Sequence, residues 1–201
     1  MPVKGQIFVV SAPSGAGKTS LCRAVTDALD NLTHSVSTTT RKPRTGEIDG
    51  RDYFFVTEDR FRSMVEAGDF VEWAEVHGNL YGTSRRMLED LVDRGSDVIL
   101  DIDTQGAKQI KEKFDSPVFI FIMPPSLEIL EERLRNRRSD RDDEINRRMA
   151  RARDEIRDFR RYDFIVVNRD FDKALHDLRS IIIAARCRTE LLDPDWIKRL
   201  Q

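Results

Sequence analysis

Short apolar runs alternate with amphipathic stretches along most of the chain. The apolar runs span residues 6–11, 97–103, 118–123 and 163–168. Helical periodicity follows them at residues 20–29, 85–94, 106–114 and 171–190. Strands buried on both faces of a parallel sheet have this uniformly apolar character. The alternation of strand and helix therefore predicts an α/β fold with a parallel sheet flanked by helices.

Residues 35–83 have a different pattern, with short stretches in which apolar and polar positions alternate. The predicted strands are residues 34–39, 52–56, 70–76 and 80–83. Thr57 is a predicted N-cap for a helix that Gly68 ends. We expect a small, mostly antiparallel lobe inserted into the α/β core between residues 35 and 83.

Residues 126–162 are helical in pattern and rich in arginine, with a break near Ser139 and Asp140. Most arginines of such a segment lie on a solvated helix face, paired with acids. We expect two hinged helices that form a lid. The predicted organisation is a core of residues 1–34, 84–125 and 163–190, a lobe of residues 35–83, a lid of residues 126–162 and a tail of residues 191–201.

Charge and cysteine content narrow the class of protein. The chain has 34 basic and 36 acidic residues, a net charge of −2, so bulk charge gives no support to a nucleic-acid or membrane partner. Cys22 and Cys187 are too few for a disulfide framework and are expected to be reduced thiols. No signal peptide or membrane span is predicted, and three scattered histidines lack metal-ligand spacing. We expect a cytoplasmic globular protein, and the sequence makes no prediction of oligomeric state.

Residues 12–19, Ala-Pro-Ser-Gly-Ala-Gly-Lys-Thr, lie between the first predicted strand and the first predicted helix. A glycine-rich turn that ends in Gly-Lys-Thr predicts a phosphate-binding loop in this context. Gly15 and Gly17 allow backbone amides to close around phosphate oxygens at a helix N-terminus, where the dipole favours anions. Lys18 can reach the β- and γ-phosphates, and the Thr19 hydroxyl can ligate Mg²⁺. The chain is predicted to bind a nucleoside triphosphate.

Two further stretches carry charged side chains that suit phosphate chemistry. Asp101 ends an apolar strand at the sheet edge where ligands of parallel sheets collect, so it is placed to orient Mg²⁺ directly or through water. Arg41 and Arg44 lie in a loop with proline and glycine, and their guanidinium groups suit bidentate contact with phosphate. From spacing alone, an anion site and a solvated loop are equally good interpretations of that loop.

Several separated motifs together resemble the guanylate kinase family, whose members transfer the γ-phosphate of ATP to GMP. The resemblance extends from the first strand to about Glu190. It rests on residues 11–19, 37–44 with 46–47 and 53, 72–73 with 81–83, 101–106, 124–126 and 165–168. It implies a P-loop NTPase core, a GMP-binding lobe, a helical lid and a place in purine nucleotide metabolism and GMP recycling.

The resemblance also implies roles for individual residues. The implied catalytic residues are Lys18, Asp101, Arg133, Arg137 and Arg148. The implied ATP-binding residues are Ala12, Pro13, Ser14, Gly15, Ala16, Gly17, Lys18, Thr19 and Asn168. The implied GMP-binding residues are Ser37, Arg41, Arg44, Tyr53, Glu72, Tyr81, Thr83 and Asp103. Thr19 and Asp101 are the implied Mg²⁺-linked residues.

Three positions depart from the common family pattern. Ala12 replaces a glycine, as in bacterial members, and fits the loop if its φ is negative. Arg138 stands at a lid position where glycine is usual, and Arg169 stands where an acid is usual.

Two other function classes compete with this interpretation. Guanylate-kinase-like scaffold domains bind phosphopeptides without catalysis, but they have degraded phosphate loops, whereas Lys18 and Asp101 are intact here. A related P-loop kinase would phosphorylate another acceptor, such as a ribosyl bisphosphate. The set of Ser37, Glu72 and Asp103 favours a pocket that binds a nucleobase, and therefore GMP.

Overall fold

The computed structural model describes residues 4–76, 78–136, 142–192 and 194–200. Its strands, in chain order, are β1 (Ile7–Ser11), β2 (Leu32–His34), β3 (Thr38–Thr39), β4 (Phe54–Phe55), β5 (Phe70–Val76), β6 (Asn79–Ser84), β7 (Asp97–Asp101), β8 (Val118–Met123) and β9 (Phe164–Val167). Its α-helices are α1 (Lys18–Ala28), α2 (Glu58–Glu66), α3 (Arg85–Asp93), α4 (Thr104–Lys113), α5 (Leu127–Asn136), α6 (Asp142–Arg157), α7 (Phe171–Arg186) and α8 (Pro194–Lys198).

A parallel sheet in the order β2-β7-β1-β8-β9 forms the centre of the molecule. Strand β1 lies in its middle, where Phe8, Val9 and Val10 are completely buried. The register pairs Val10 with Asp101 and Ser11 with Phe121, so the carboxyl ends of β1, β7 and β8 meet at one edge. The predicted parallel α/β core is confirmed. The apolar runs predicted it correctly because strands that are covered on both faces have apolar side chains on both faces.

Helices cover both faces of this sheet. On one face α1 and α7 contribute Cys22, Val25 and Leu178 to a core that includes Phe8 and Ile99. On the other face α3 and α4 contribute Leu88 and Ile110, which pack with side chains of β1 and β7. The completely buried Cys22 is therefore part of the packing that holds α1 on the sheet.

A second sheet, in the order β4-β3-β6-β5, forms the lobe. Its β3–β6 and β5–β6 pairs are antiparallel, whereas β3 and β4 pair in parallel. Thr57 caps α2 as predicted, accepting a hydrogen bond from the Arg60 amide at 3.3 Å. The stacked rings of Phe61 and Phe70, 4.6 Å apart, join α2 to β5 and give the lobe a small core of its own.

The predicted single strand at residues 34–39 is wrong. Strand β2 ends at His34 in the central sheet, and β3 starts at Thr38 in the second sheet. The intervening residues cross from one sheet to the other: the Ser35 amide still donates to Ile99 O at 3.0 Å, whereas Ser37 O already accepts from the Phe54 amide at 2.9 Å. An alternating pattern cannot reveal such a crossing, because both strands have the same period.

Helices α5 and α6 lie on either side of residues 137–141, which are outside the described residues. They pack against each other through Leu130, Leu134, Ile145 and Met149. A short 3₁₀ helix, Asp158–Arg161, leads from α6 to β9. Helix α7 ends at Arg186 rather than near residue 190, and a second 3₁₀ turn, Thr189–Leu191, precedes α8. No helix of the described chain is long and apolar enough to cross a membrane.

Candidate active site

The turn between β1 and α1 adopts the conformation that its glycines permit. Gly15 and Gly17 have φ values of 92° and 91°, in the left-handed region where a side chain would be strained. The Ala16 amide donates to Pro13 O at 3.1 Å, which tightens the turn just before α1 begins at Lys18. Backbone amides at such a helix N-terminus form an anion site. The local geometry is that of a phosphate-binding loop.

Ala12 fits this loop without strain. Among the described residues, the only non-glycine residue with a positive φ is Asn31, so Ala12 has the negative φ expected for a tolerated replacement. Its side chain is buried in the core beneath α1 and α7.

Lys18 and Asp101 meet where the carboxyl end of β7 faces the start of α1. The Lys18 ammonium donates to Asp101 Oδ1, and the two side chains are 19% and 9% exposed. The Nε2 atom of His34 lies 3.9 Å from Asp101 Oδ2. Burial, with the charges of Lys18 and Arg23, lowers the pKa of His34 to about 4, so this imidazole is neutral near pH 7. Lys18 is therefore the charge partner of Asp101.

A cleft of about 280 Å³ opens between this loop, the second sheet and α6. Most predicted site residues line it. They are Ala12, Pro13, Ser14, Gly15, Gly17, Lys18, Thr19, Ser37, Arg44, Tyr53, Glu72, Tyr81, Asp101, Asp103 and Arg148. Residues that are almost 140 positions apart in sequence thus share one cavity.

Three other predicted site residues, Asn168, Arg133 and Thr83, lie behind this lining and support it. The Asn168 amide donates to Ala16 O at 2.7 Å, and Arg133 donates to Asn168 O at 3.0 Å, so these two residues hold the outer side of the phosphate loop. Thr83 is buried and donates from Oγ1 to Glu72 Oε1 at 2.6 Å. Arg137 lies outside the described residues, as does Arg138.

Arg41 pairs with Glu47 rather than lining the cleft. Two hydrogen bonds, of 2.9 and 2.7 Å, join its guanidinium group to both carboxylate oxygens. Glu47 also accepts from the Arg44 amide at 2.7 Å, and the Arg41 guanidinium lies 5.2 Å from the centre of the Tyr53 ring. Glu47 therefore orders the loop that carries both arginines. Sequence reasoning included Glu47 in a motif without giving it this role.

Glu72 is a nearly completely buried carboxylate, 3% exposed. Burial raises its pKa to about 7; the nearby charge of Asp103 acts in the same direction, and the hydrogen bond from Thr83 opposes it. A β-carbon at Gly106 would lie 2.3 Å from Glu72 Oε2, so only glycine leaves room for this carboxylate. The site therefore contains an acceptor that is held in place and readily changes its protonation state.

Asp103 has two structural functions that the sequence analysis did not predict. It is the N-cap of α4, accepting from the Gly106 amide at 2.9 Å. It also accepts a hydrogen bond from Arg151 of α6 at 3.0 Å. Three residues before Arg151, Arg148 donates to Ser14 Oγ of the phosphate loop at 2.5 Å.

Arg151 and the buried Glu155 also line the cleft, and sequence reasoning missed both. The signal that could have found them is spacing: positions 148, 151 and 155 share one helix face.

Comparison with known proteins agrees with this geometry. The guanylate kinase family model matches residues 4–185. The guanylate kinases of Geobacter metallireducens and Geobacter sulfurreducens are 55% and 56% identical over 189 residues, which cover 94% of this chain and 93% of each relative. The crystal structure of guanylate kinase from Anaplasma phagocytophilum superposes with a TM-score of 0.78 at 37% identity, covering 93% of this chain and 89% of that one.

The chain belongs to the guanylate kinase family. The resemblance inferred from separated motifs is confirmed, and so are the α/β fold and the assignment to the phosphotransferase enzymes. Guanylate kinase relatives match nearly the full chain, so the phosphate loop, the second sheet and helices α5 and α6 all fall within the shared region.

Proposed function

We propose that this enzyme transfers the γ-phosphate of ATP to GMP, giving ADP and GDP, in purine nucleotide metabolism. One observation carries the proposal: a single cleft is lined by the phosphate loop and by the carboxylates Glu72 and Asp103. The loop suits the triphosphate of the donor. The carboxylates suit the base of the acceptor, so both substrates would meet in one cavity.

The acceptor pattern of the cleft matches guanine. Guanine presents donors at N1–H and at its 2-amino group and an acceptor at O6. Ionised Glu72 and Asp103 only accept hydrogen bonds, whereas the Ser37 hydroxyl can donate. Adenine has an acceptor at N1 and no 2-amino group, so it would leave a buried carboxylate without a donor. Each such mismatch costs about 1–3 kcal/mol, and more when the group is charged.

The phosphate of GMP would lie against Arg44, Tyr53 and Tyr81, with Arg41 held beside them by Glu47. No catalytic base is required, because the second ionisation of a phosphate monoester lies near pH ~6 and the acceptor is already an anionic nucleophile. The protein must instead align two polyanions and distribute cations around the transferring group. Lys18 and Arg148 are placed to do so, and Arg133 supports the loop from behind.

Thr19 and Asp101 would hold Mg²⁺. Both line the cleft, and they offer a hydroxyl and a carboxylate oxygen, which are the hard donors this ion prefers. Mg²⁺ commonly keeps several waters and is bound by one or two carboxylates plus substrate phosphates, so this small donor set fits it. The ion, when bound, neutralises charge on the β- and γ-phosphates. Lys18, which pairs with Asp101, and Arg148 would be the cations supplied by the protein itself.

The proposal extends to the organisation of the chain. Residues 1–34, 84–125 and 163–190 would form the ATP-binding core, residues 35–83 the GMP-binding lobe and residues 126–162 the lid. We also propose a cytoplasmic location, since ATP and GMP are metabolites of that compartment.

A coupled ADP-release assay tests the substrate pair. The full chain is assayed with ATP, Mg²⁺ and, in turn, GMP, AMP, UMP and ribosyl bisphosphate. We expect kcat/KM for GMP to exceed that for AMP by about 10³-fold, since at least two hydrogen bonds are mismatched with adenine. Comparable values for AMP and GMP would contradict the guanine pocket. Binding of GMP without turnover would favour the scaffold class.

A further inference from the structure

Arg151 connects the lid helix α6 to the base-binding part of the cleft. Its guanidinium group donates to Asp103 Oδ2 at 3.0 Å and to Glu155 Oε1 at 2.9 Å. The three side chains are 29%, 15% and 10% exposed, so this network is largely shielded from water. A shielded network fixes geometry more strongly than ion pairs on the surface do.

Glu155 shows that Arg151 is held in place. This carboxylate is buried, and its burial raises its pKa while the charge of Arg151 opposes that shift. Its Oε1 accepts from Arg151, whereas Oε2 has no hydrogen-bond partner among the described residues. The arginine is thus the hydrogen-bonded counter-ion of a buried acid one helical turn away.

Asp103 is oriented from two sides. Its Oδ1 accepts from the Gly106 amide at 2.9 Å, which ties it to α4. Its Oδ2 accepts from Arg151 and, at 3.2 Å, from the exposed side chain of Gln105. Among the described residues, only Arg151 reaches this carboxylate from another element, so it ties Asp103 to α6.

We propose that Arg151 is a positioning residue for guanine recognition: held by Glu155, it fixes the orientation of Asp103 and links that carboxylate to the lid helix. The inference rests on the proposed function, in which Asp103 binds the guanine base. The neighbouring Arg148 binds Ser14 of the phosphate loop from the same helix face. Residues 148 and 151 therefore connect α6 to the donor side and the acceptor side of the cleft.

Steady-state kinetics of Arg151→Met test the proposal, with Arg153→Met as the matched control. Arg153 is an exposed arginine of the same helix. In Arg151→Met we expect KM for GMP to rise about tenfold, because Asp103 loses its charged partner, while KM for ATP stays within twofold. The control should match the wild type in both constants. Arg151→Lys, which keeps the charge but not the bidentate geometry, should recover part of the GMP affinity.

A second variant separates positioning from stability. Arg151→Met leaves Glu155 buried without a counter-ion, which can destabilise the lid. The double variant Arg151→Met/Glu155→Gln removes that unpaired charge, so it should regain the melting temperature but keep the raised KM for GMP.

Recovery of both properties in the double variant would overturn the proposal, and so would equal changes in KM for GMP and ATP in Arg151→Met. Failure of the wild-type enzyme to phosphorylate GMP would instead overturn the proposed function, so the two failures are distinguishable.

Discussion

At the scale of single residues, Lys18 and Asp101 show how one contact serves both folding and chemistry. Asp101 is almost completely buried at the end of β7, and the Lys18 ammonium is its charge partner. In the proposed function, the same ammonium would contact the phosphates of a bound nucleotide. The lysine would then act as a cation that the fold already holds beside the phosphate loop.

Replacing Lys18 with Met should lower kcat by about 10²–10³-fold, because the transferring phosphoryl group loses a preorganised cation. The fold should persist, since the side chain projects into the cleft, but with a lower melting temperature, because Asp101 loses its charge partner. Circular dichroism and ADP release measure the two effects, and Lys173→Met, an exposed lysine of α7, is the control. Near wild-type ADP release from Lys18→Met would contradict the proposed role of the phosphate loop.

Glu72 should make stability depend on pH. Its pKa is raised from 4.5 to about 7, so between these values the carboxyl is protonated in the folded protein and ionised in the unfolded chain. The contribution of Glu72 to the free energy of unfolding is therefore complete below pH 4.5 and is lost as the pH rises through about 7. Glu72→Gln should unfold with a free energy about 3 kcal/mol higher than the wild type at pH 8, with little difference at pH 4.5. Its GMP turnover should fall, because an amide cannot replace both acceptors.

Urea denaturation at pH 4.5 and pH 8 measures the effect of Glu72. Glu75→Gln, on the same strand but exposed, should follow the wild type at both values. The same pH slope in Glu72→Gln and the wild type would show that another group controls this stability.

Sequence reasoning could find Lys18, Asp101 and Glu72 because each belongs to a local motif with its own chemistry. It could not single out Arg151. Arginines are frequent between residues 133 and 153, and neither their spacing nor the family resemblance distinguished Arg151 from the others. Only the packing of α6 over the carboxyl ends of β1 and β7 decides which of them reaches Asp103.

At the scale of elements, the phosphate loop depends on close contact between two distant turns. A β-carbon on Gly17 would lie 2.4 Å from the Asn168 side-chain nitrogen, the atom that donates to Ala16 O. The turn after β9 thus packs directly on the loop after β1. Helix α5 does the same on the other side, since a β-carbon on Gly15 would lie 2.9 Å from Leu134.

Gly17→Ala should lower the melting temperature and weaken ATP binding, because it adds about 1–3 kcal/mol of backbone strain and a clash with Asn168. Gly68→Ala is the matched control, since Gly68 has a φ of 72° and open space around it. It should show the strain without the loss of ATP affinity. Thermal denaturation and ATP titration separate the two. Equal ATP affinity in both variants would contradict the role of the Asn168 contact.

Strands and helices were predictable from the sequence where all residues of a segment lie in the same structural environment. The inner strands β1, β7 and β8 of the central sheet are buried on both faces, and their apolar runs identified them. The strand at residues 34–39 was mispredicted because the chain leaves one sheet for another within it. The end of α7 was also misplaced: the helix ends at Arg186 with Cys187 as its C-cap, and a 3₁₀ turn follows with similar composition.

At the scale of the whole molecule, charged side chains of both signs are concentrated in the cleft. Acids and bases are almost equal in number along the chain. The cleft likewise gathers four basic and four acidic side chains, Lys18, Arg44, Arg148, Arg151, Glu72, Asp101, Asp103 and Glu155. Composition gave no support to a bulk electrostatic partner but could not predict this concentration of charge. It arises from tertiary structure, which brings the ends of β1 and β7, the second sheet and α6 to one place.

The burial of Cys22 makes the reaction rate of this thiol a measure of how often α1 separates from the sheet. The thiolate is the form that reacts, and burial raises the pKa of this thiol to about 12, whereas Cys187 is exposed. A disulfide reagent should therefore modify the exposed Cys187 directly. Cys22 should react only when α1 detaches from the sheet. If this detachment costs about 5 kcal/mol, Cys22 should react at least 10³-fold more slowly than Cys187. Saturating ATP should slow this second phase further. A Cys22 rate independent of ATP would mean that α1 opens without disturbing the phosphate loop.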